Sequence, residues 1–229
     1  MQELIIFTLY TMTPSLTEEN YLKAIYHLSK LAGEKVSLKS ISNTLNINPA
    51  SVIDMLKRLT DKKLIHYDKA AGARLSDKGF KMAINIVRKH RLWEVFLQEK
   101  LGYQWDEVHD IAEQMEHIRS TDLADRLDKY LGYPEYDPHG DPIPKANGQE
   151  PANRRITLAD ADPGKSYRVV GVRDTSPDFL KYVQRLQLGI GVQVKVVEKI
   201  SFDGSVVLQV GKGEKTTVSH KFSENILVA

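Results

Sequence analysis

Residues 37–76, SLKSISNTLNINPASVIDMLKRLTDKKLIHYDKAAGARLS, decide how the first part of the chain folds. Ser37 is an N-cap candidate, because its hydroxyl can accept from a free backbone N–H of the first helical turn. Ile41 and Leu45 then recur at helical spacing and face inward. Asn46–Asn48 reads as a turn. Pro49 suits a first helical position, where its missing N–H is one that no helix bond would use. A helix follows to about Lys63, with Val52, Met55, Leu56 and Leu59 on its inner face. Leu64–Tyr67 and Arg74–Ser76 read as two strands, joined by a turn through Ala70–Ala73 that includes Gly72.

Upstream, Thr17 is an N-cap candidate with Asn20 three residues on, which is half of a capping box. Leu22, Ile25, Tyr26 and Leu28 supply the apolar face of a helix that Gly33 is expected to stop. Three helices, a short turn before the third and a trailing hairpin make residues 12–76 a winged helix-turn-helix. The first eleven residues, MQELIIFTLYT, carry no basic leader and no small-residue cleavage site, so they do not read as a signal peptide. Met12 is the expected start, with residues 1–11 an upstream artefact or loose arm; a packed extension is the alternative.

Downstream, residues 77–131 are helical in pattern, in three pieces: about Asp77–Leu101, Trp105–Met115 and Ser120–Leu131. The proline-rich stretch YPEYDPHGDPIPKANGQEP that follows reads as a linker or an ordered surface loop, and residues 146–155 are taken as the linker proper. After Ile156 short β-rich runs appear: Ser166–Val172, Gln193–Lys199, Ser205–Val210 and Thr216–Ser219. They predict a small barrel over 156–229. The fold class is therefore mainly α with a β-rich C-terminal domain.

Composition narrows the chemistry. The 229 residues contain no cysteine, which removes disulfide scaffolds, thiolate metal sites and thiol nucleophiles. No apolar run approaches the ~20 residues that span a bilayer. The net charge of +2 is unevenly spread. Residues 12–80 hold 11 Lys and Arg against 7 Asp and Glu, whereas residues 81–145 hold 9 against 13. A basic block before an acidic, histidine-bearing one suggests an anionic partner for the first and a cation for the second.

In a winged helix-turn-helix the third helix enters the major groove with its N-terminal residues against base edges. Those residues are Asn48, Pro49, Ala50, Ser51 and Asp54. Asn and Ser can bond bases, Ala and Pro can touch a thymine methyl, and Asp can accept from cytosine. Lys57, Arg58, Lys62 and Lys63 on that helix, Lys39 on the second helix and Arg74 in the wing are phosphate candidates. The bland alternative is a small helical domain with a solvated, Lys-rich face.

KHRLWE puts His90 and Glu94 on one helix face, and VHDIAEQMEH gathers His109, Glu113, Glu116 and His117 within about a quarter turn. Clustered carboxylates raise one another's pKa unless a cation sits among them, and a divalent metal would supply one. Oxygen and imidazole donors without thiolate suit Mn²⁺, Fe²⁺, Co²⁺ or Zn²⁺. The alternative is a solvated acidic face with partly buried histidines. His27 and His66 read as structural, His220 has no evident partner, and His139 beside Asp137 is ambiguous. No catalytic motif is present, and an enzyme is not expected.

These residues carry a resemblance. ENYLKAIY, VRKHRLWEVFL, VHDIAEQMEH and LDKYLGYPEYDPHGDPIP resemble the diphtheria toxin repressor family of metal-dependent transcriptional regulators, in its manganese-responsive branch with a C-terminal domain. LQLGIGVQVKVVEK and SENILVA resemble its SH3-like domain. The resemblance implies a helical metal-binding and dimerisation domain over 77–145 and a primary metal site at Asn20, His90, Glu113, Glu116 and His117. It implies an ancillary site at Glu94, Asp137 and His139, with contributions from His109 and from Asp174. Glu113 points to Mn(II), with Fe(II) the alternative; Asn20 departs from the aspartate expected at its position. The implied function is a cytoplasmic, homodimeric repressor of metal-uptake genes that binds double-stranded operator DNA when metal is bound, and that has no membrane partner. The rivals are a winged-helix regulator with an organic ligand against Trp93, Phe96 and Trp105, and an adaptor whose β-domain binds a proline-containing peptide or the chain's own 137–151 loop.

Overall fold

The computed structural model describes residues 14–32, 35–120, 122–152, 155–211 and 213–229. Residues 1–11, the expected start at Met12 and the expected helix stop at Gly33 lie outside them. The chain divides into two compact units. The first comprises the chain up to His90 with Glu116–Asp125 and Pro144–Gln149; the second comprises Arg91–Met115, Arg126–Ile143 and Glu150–Ala229. No helix among the described residues is long and apolar enough to cross a membrane.

In the first unit, α1 (Leu16–Ala32), α2 (Leu38–Leu45) and α3 (Pro49–Asp61) precede the antiparallel pair β1 (Ile65–Asp68) and β2 (Gly72–Leu75). Helix α4 (Asp77–Leu101) begins in this unit and continues past His90 into the second. The start of α1 corrects the sequence reading. Ser15 rather than Thr17 is the cap: the Glu18 N–H donates to Ser15 Oγ at 3.2 Å and the Ser15 N–H donates to Glu18 Oε2 at 2.9 Å. That is a full capping box two residues earlier than expected. Ser37 caps α2 as expected, and Asn46 ends it in the left-handed region at φ 51°, which gives the sharp turn before α3. Leu22, Ile25, Ile41, Val52, Leu56, Leu59 and Ile65 are fully buried in one core with Ala83 and Val87 of α4. Each such aliphatic side chain contributes about 1.5–3 kcal/mol by leaving water. This core fixes the angle between α2 and α3, and with it the surface that α3 presents.

In the second unit lie the rest of α4, α5 (Val108–Met115), α6 (Leu123–Tyr130, from Arg126 onward) and a six-stranded sheet. Its strands are β3 (Ile156–Thr157), β4 (Ser166–Val172), β5 (Gln193–Lys199), β6 (Val206–Val210), β7 (Lys215–Val218) and β8 (Ile226–Val228), in the order β3-β8-β4-β5-β6-β7. All pairings are antiparallel. The sequence reading missed β3, β8 and two helices, α7 (Pro177–Arg185) and α8 (His220–Ser223). Helix α7 buries Leu180 and Val183 against the sheet. Ser176 at its cap and Pro177 in its first turn were the available signals. Trp105 packs in this same core.

The segment 137–143 lies along β4. The Val172 N–H donates to the His139 carbonyl at 2.9 Å, and Arg155 donates to the Gly140 carbonyl. Gly140 has φ +86°, and a Cβ there would stand 2.1 Å from the Val170 carbonyl oxygen. The proline-rich stretch is therefore an ordered strap on the barrel over these residues.

Candidate metal centre and nucleic-acid face

In the second unit, three of the residues singled out by sequence converge. Glu94 of α4 and Asp137 and His139 of the strap are all buried, with ligand atoms within 4.8 Å of one another. The strap is rigidly built. Asp137 Oδ1 accepts from the His139 N–H at 2.8 Å and from the Asp141 N–H at 2.9 Å, and Arg91 faces its other oxygen at 3.6 Å. His139 Nε2 lies 2.8 Å from the Trp105 carbonyl, so Nε2 carries the proton and donates. Nδ1 then faces Glu94 Oε2 at 3.7 Å, the arrangement in which a carbonyl orients a ligating imidazole. His109 Nδ1 lies 3.4 Å from the other Glu94 oxygen, but its ring is half exposed. Asp174 does not join this group: its Oδ1 accepts from the Ser176 N–H at 2.8 Å, ahead of α7.

The electrostatics of the strap make a prediction. Burial pushes the Asp137 carboxyl up to about 7, with Glu94 and Asp141 adding to it against Arg91 and His139. Burial opposes a charged His139 ring, but Glu94 and Asp137 outweigh it and raise the ring to about 9. Both folded-state values lie above the ordinary 3.8 and 6.5, so the folded protein holds these protons more tightly than the unfolded chain. Their contribution to stability is fully present at low pH. Asp137's is lost as pH rises through about 7, and that of His139 as pH rises through about 9. Metal-free protein should therefore melt at progressively lower temperature from mildly acidic to alkaline pH, with Asp137 responsible below about 7 and His139 above it. His139→Gln should remove the alkaline part of that decline.

In the first unit a second group forms. Glu116 is fully buried, and its Oε2 lies 2.7 Å from Lys23 Nζ and 2.6 Å from His90 Nδ1. His117 Nδ1 lies 2.6 Å from Glu19 Oε2, while His117 Nε2 faces Glu116 Oε1 at 3.7 Å. Glu116 Oε1 and Asn20 Oδ1 are buried with no hydrogen-bond partner. Glu113 belongs to the second unit, where it is half-buried in the last turn of α5. Burial holds the neighbouring Lys89 ammonium below its ordinary value, against the pull of Glu19 and Glu116. Sequence reasoning missed Glu19 and Lys23. Their i, i+4 spacing on α1 was the available signal, because it places them on one face.

On the nucleic-acid face, Asn48, Pro49, Ala50, Ser51 and Asp54 are exposed at the start of α3. Asn48 Oδ1 caps the helix by accepting from the Ala50 N–H at 2.8 Å, so its carbonyl is already engaged. Asp54 and Lys57 form an exposed ion pair at 3.7 Å. Lys39, Arg58 and Arg74 are exposed. Lys62 is a correction: it pairs with buried Glu18 at 2.7 Å and ties the end of α3 to the capping box of α1.

Comparison with known proteins fits this geometry. A solved structure described as a manganese-dependent transcriptional repressor in complex with manganese superposes with a TM-score of 0.82 at 31% identity, over 92% of this chain and 98% of that one. The chain belongs to the iron-dependent repressor family. Three family descriptions match in succession: iron-dependent repressor, N-terminal DNA-binding domain, over 15–73; iron-dependent repressor, metal-binding and dimerisation domain, over 76–145; and FeoA domain over 156–229. The manganese regulator SloR is 36% identical over 95% of this chain and 99% of its own, with a TM-score of 0.73. The iron-dependent repressor IdeR of Mycobacterium leprae is 29% identical over 93% of this chain and 96% of its own. The fold is thus a helical N-terminal helix-turn-helix and dimerisation domain with an SH3-like C-terminal domain, and the family is one of metal-dependent transcriptional repressors, not of enzymes.

The residues present fit a divalent cation. Two buried oxygens without hydrogen-bond partners, on Glu116 and Asn20, are what a coordinating group looks like when no proton donor serves it. The donors are carboxylate, amide oxygen and imidazole throughout, with no thiolate, a set that suits a hard or borderline ion.

Proposed function

We propose that this chain is a manganese-activated repressor of metal-uptake genes, working in the cytoplasm as a homodimer on double-stranded operator DNA. The observation that carries the reading is the coexistence of a winged helix-turn-helix with the buried Glu116 group in one compact unit. Asn20, His90, Glu113, Glu116 and His117 are assigned to the primary site. Glu94, His109, Asp137 and His139 are assigned to the ancillary site, with Asp174 a more distant contributor. Lys39, Asn48, Pro49, Ala50, Ser51, Asp54, Lys57, Arg58 and Arg74 face the DNA, the basic ones on phosphates. Oxygen-rich ligation without thioether or thiolate favours Mn²⁺, with Fe²⁺ the runner-up.

The physical basis of the switch is ordering. Metal held jointly by α1 and the segment around Glu116 restrains the DNA-reading helices before DNA arrives, so less entropy is lost on binding. A coupling of about 1–3 kcal/mol, roughly 5–150-fold in affinity, is typical of such linkage. The test is operator binding followed by fluorescence anisotropy with Mn²⁺, Fe²⁺ under anaerobic conditions, or EDTA. Mn²⁺ should tighten binding by that factor, and DNA should tighten Mn²⁺ equally. Equal DNA affinity in Mn²⁺ and EDTA would refute the switch. Arg58→Ala should weaken binding to all sequences alike and lower the salt dependence. Ser51→Ala should change sequence preference instead.

A further inference from the structure

Lys23 is a cation already resident in the Glu116 group. Its Nζ lies 2.7 Å from Glu116 Oε2 and 3.5 Å from His90 Nδ1, and its side chain is largely buried. Oε2 also lies 2.6 Å from His90 Nδ1, so Oε2 accepts from both groups. The Lys23–His90 approach is then a contact between two donors rather than a bond. The ammonium thus stands where an oxygen of Glu116 and a nitrogen of His90 converge. A dication held by those two atoms needs the same space and repels the same charge.

Glu19 completes the argument. It lies one turn before Lys23 on α1, with the acid N-terminal to the base, the favourable order for an ion pair on a helix. Here Glu19 is joined to His117 at 2.6 Å. A metal that takes His117 releases Glu19, and Glu19 can then receive the displaced ammonium. The long, flexible lysine stem allows the swing without moving the helix.

We propose that Lys23 is a built-in competitor for the metal: it neutralises buried Glu116 in the metal-free protein and is evicted to Glu19 when a divalent ion binds. This rests on the metal reading given above. The consequence is a deliberately weakened site. Loading must replace an existing ion pair, so the repressor answers only to metal above a threshold that Lys23 sets.

The experiment is Mn²⁺ binding to the full chain by isothermal titration, with thermal melting of the same samples. Lys23→Met should tighten Mn²⁺ about tenfold or more, because it removes a like charge from the site. Lys23→Arg, which keeps the charge, should stay near wild type. Lys23→Gln preserves a hydrogen bond to Glu116 without charge and serves if the methionine variant folds poorly; it too should bind more tightly. Glu19→Gln should weaken Mn²⁺ in the wild-type background and have no effect in the Lys23→Met background. Metal-free Lys23→Met should melt at lower temperature than wild type, and saturating Mn²⁺ should erase the difference. A merely structural lysine would lower both melts alike, which would overturn the proposal. So would Mn²⁺ binding in Lys23→Met and Lys23→Gln no tighter than in a wild type that binds normally, and that outcome leaves the metal reading standing. A wild type that binds no Mn²⁺ ends both.

Discussion

Glu116→Gln should uncouple DNA binding from manganese and destabilise the protein at the same time. The Glu116 carboxylate is fully buried and faces Lys23 and His90. Gln keeps the shape and one acceptor but removes the charge, so a metal loses its anionic anchor and the Lys23 ammonium loses its counterion. Breaking one half of a buried ion pair costs about 3–5 kcal/mol, because the other charge is left uncompensated. The double variant Glu116→Gln, Lys23→Met separates the two effects. With both charges gone the stability should return to near wild type, since buried pairs are often replaceable by neutral groups of similar volume. The metal response should not return. Melting curves and Mn²⁺-titrated anisotropy on the two variants check this. A double variant that still responds to Mn²⁺ would place the primary site elsewhere.

The second large effect is expected at Gly140, which nothing in the ligand chemistry singles out. Its φ of +86° is strained for any residue with a Cβ, and that Cβ would meet the Val170 carbonyl oxygen at 2.1 Å and Gly171 Cα at 2.5 Å. The neighbours are backbone atoms of a strand and cannot give way. Gly140→Val should therefore lift the strap off β4, separate Asp137 and His139 from Glu94, and remove the ancillary Mn²⁺ site. The comparator is Gly102, with φ +76° and no atom near its would-be Cβ. Gly102→Ala should cost only the left-handed backbone penalty, about 1–2 kcal/mol. Gly140→Val should cost clearly more, and a titration should show one class of metal site fewer. Equal melting temperatures for the two variants would sink the argument.

Much of this was legible in the sequence, for identifiable reasons. The helix-turn-helix and wing follow from short-range signals, namely the 3.6-residue recurrence of Ile41, Val52, Leu56 and Leu59, the Ser37 cap and Pro49. His90 with Glu94, and Glu113 with His109 and His117, were visible as i, i+4 pairs, because one helical turn brings such side chains to one face. Two local marks were read past. Ser15 begins a complete Ser-x-x-Glu capping box with Glu18, a stronger signal than Thr17 with Asn20. Helix α7 carries Ser176 at its cap, Pro177 in its first turn and Leu180 with Val183 on its buried face, signals passed over beside the β-rich runs.

Long-range partnerships were beyond the sequence altogether. Lys62 reads as a phosphate contact until it meets Glu18, 44 residues away. Lys23, which the sequence analysis did not single out, meets Glu116, 93 residues away. Asp174 carries a ligand's chemistry, and its Oδ1 also accepts from the Ser176 N–H ahead of α7. The sequence by itself determined which elements form and which residue types can hold a cation, because propensity, capping and helical spacing act over a few residues. Only the tertiary structure decided which carboxylates are stripped of water and which charges answer them, because burial and counterion choice depend on the approach of segments far apart in the chain.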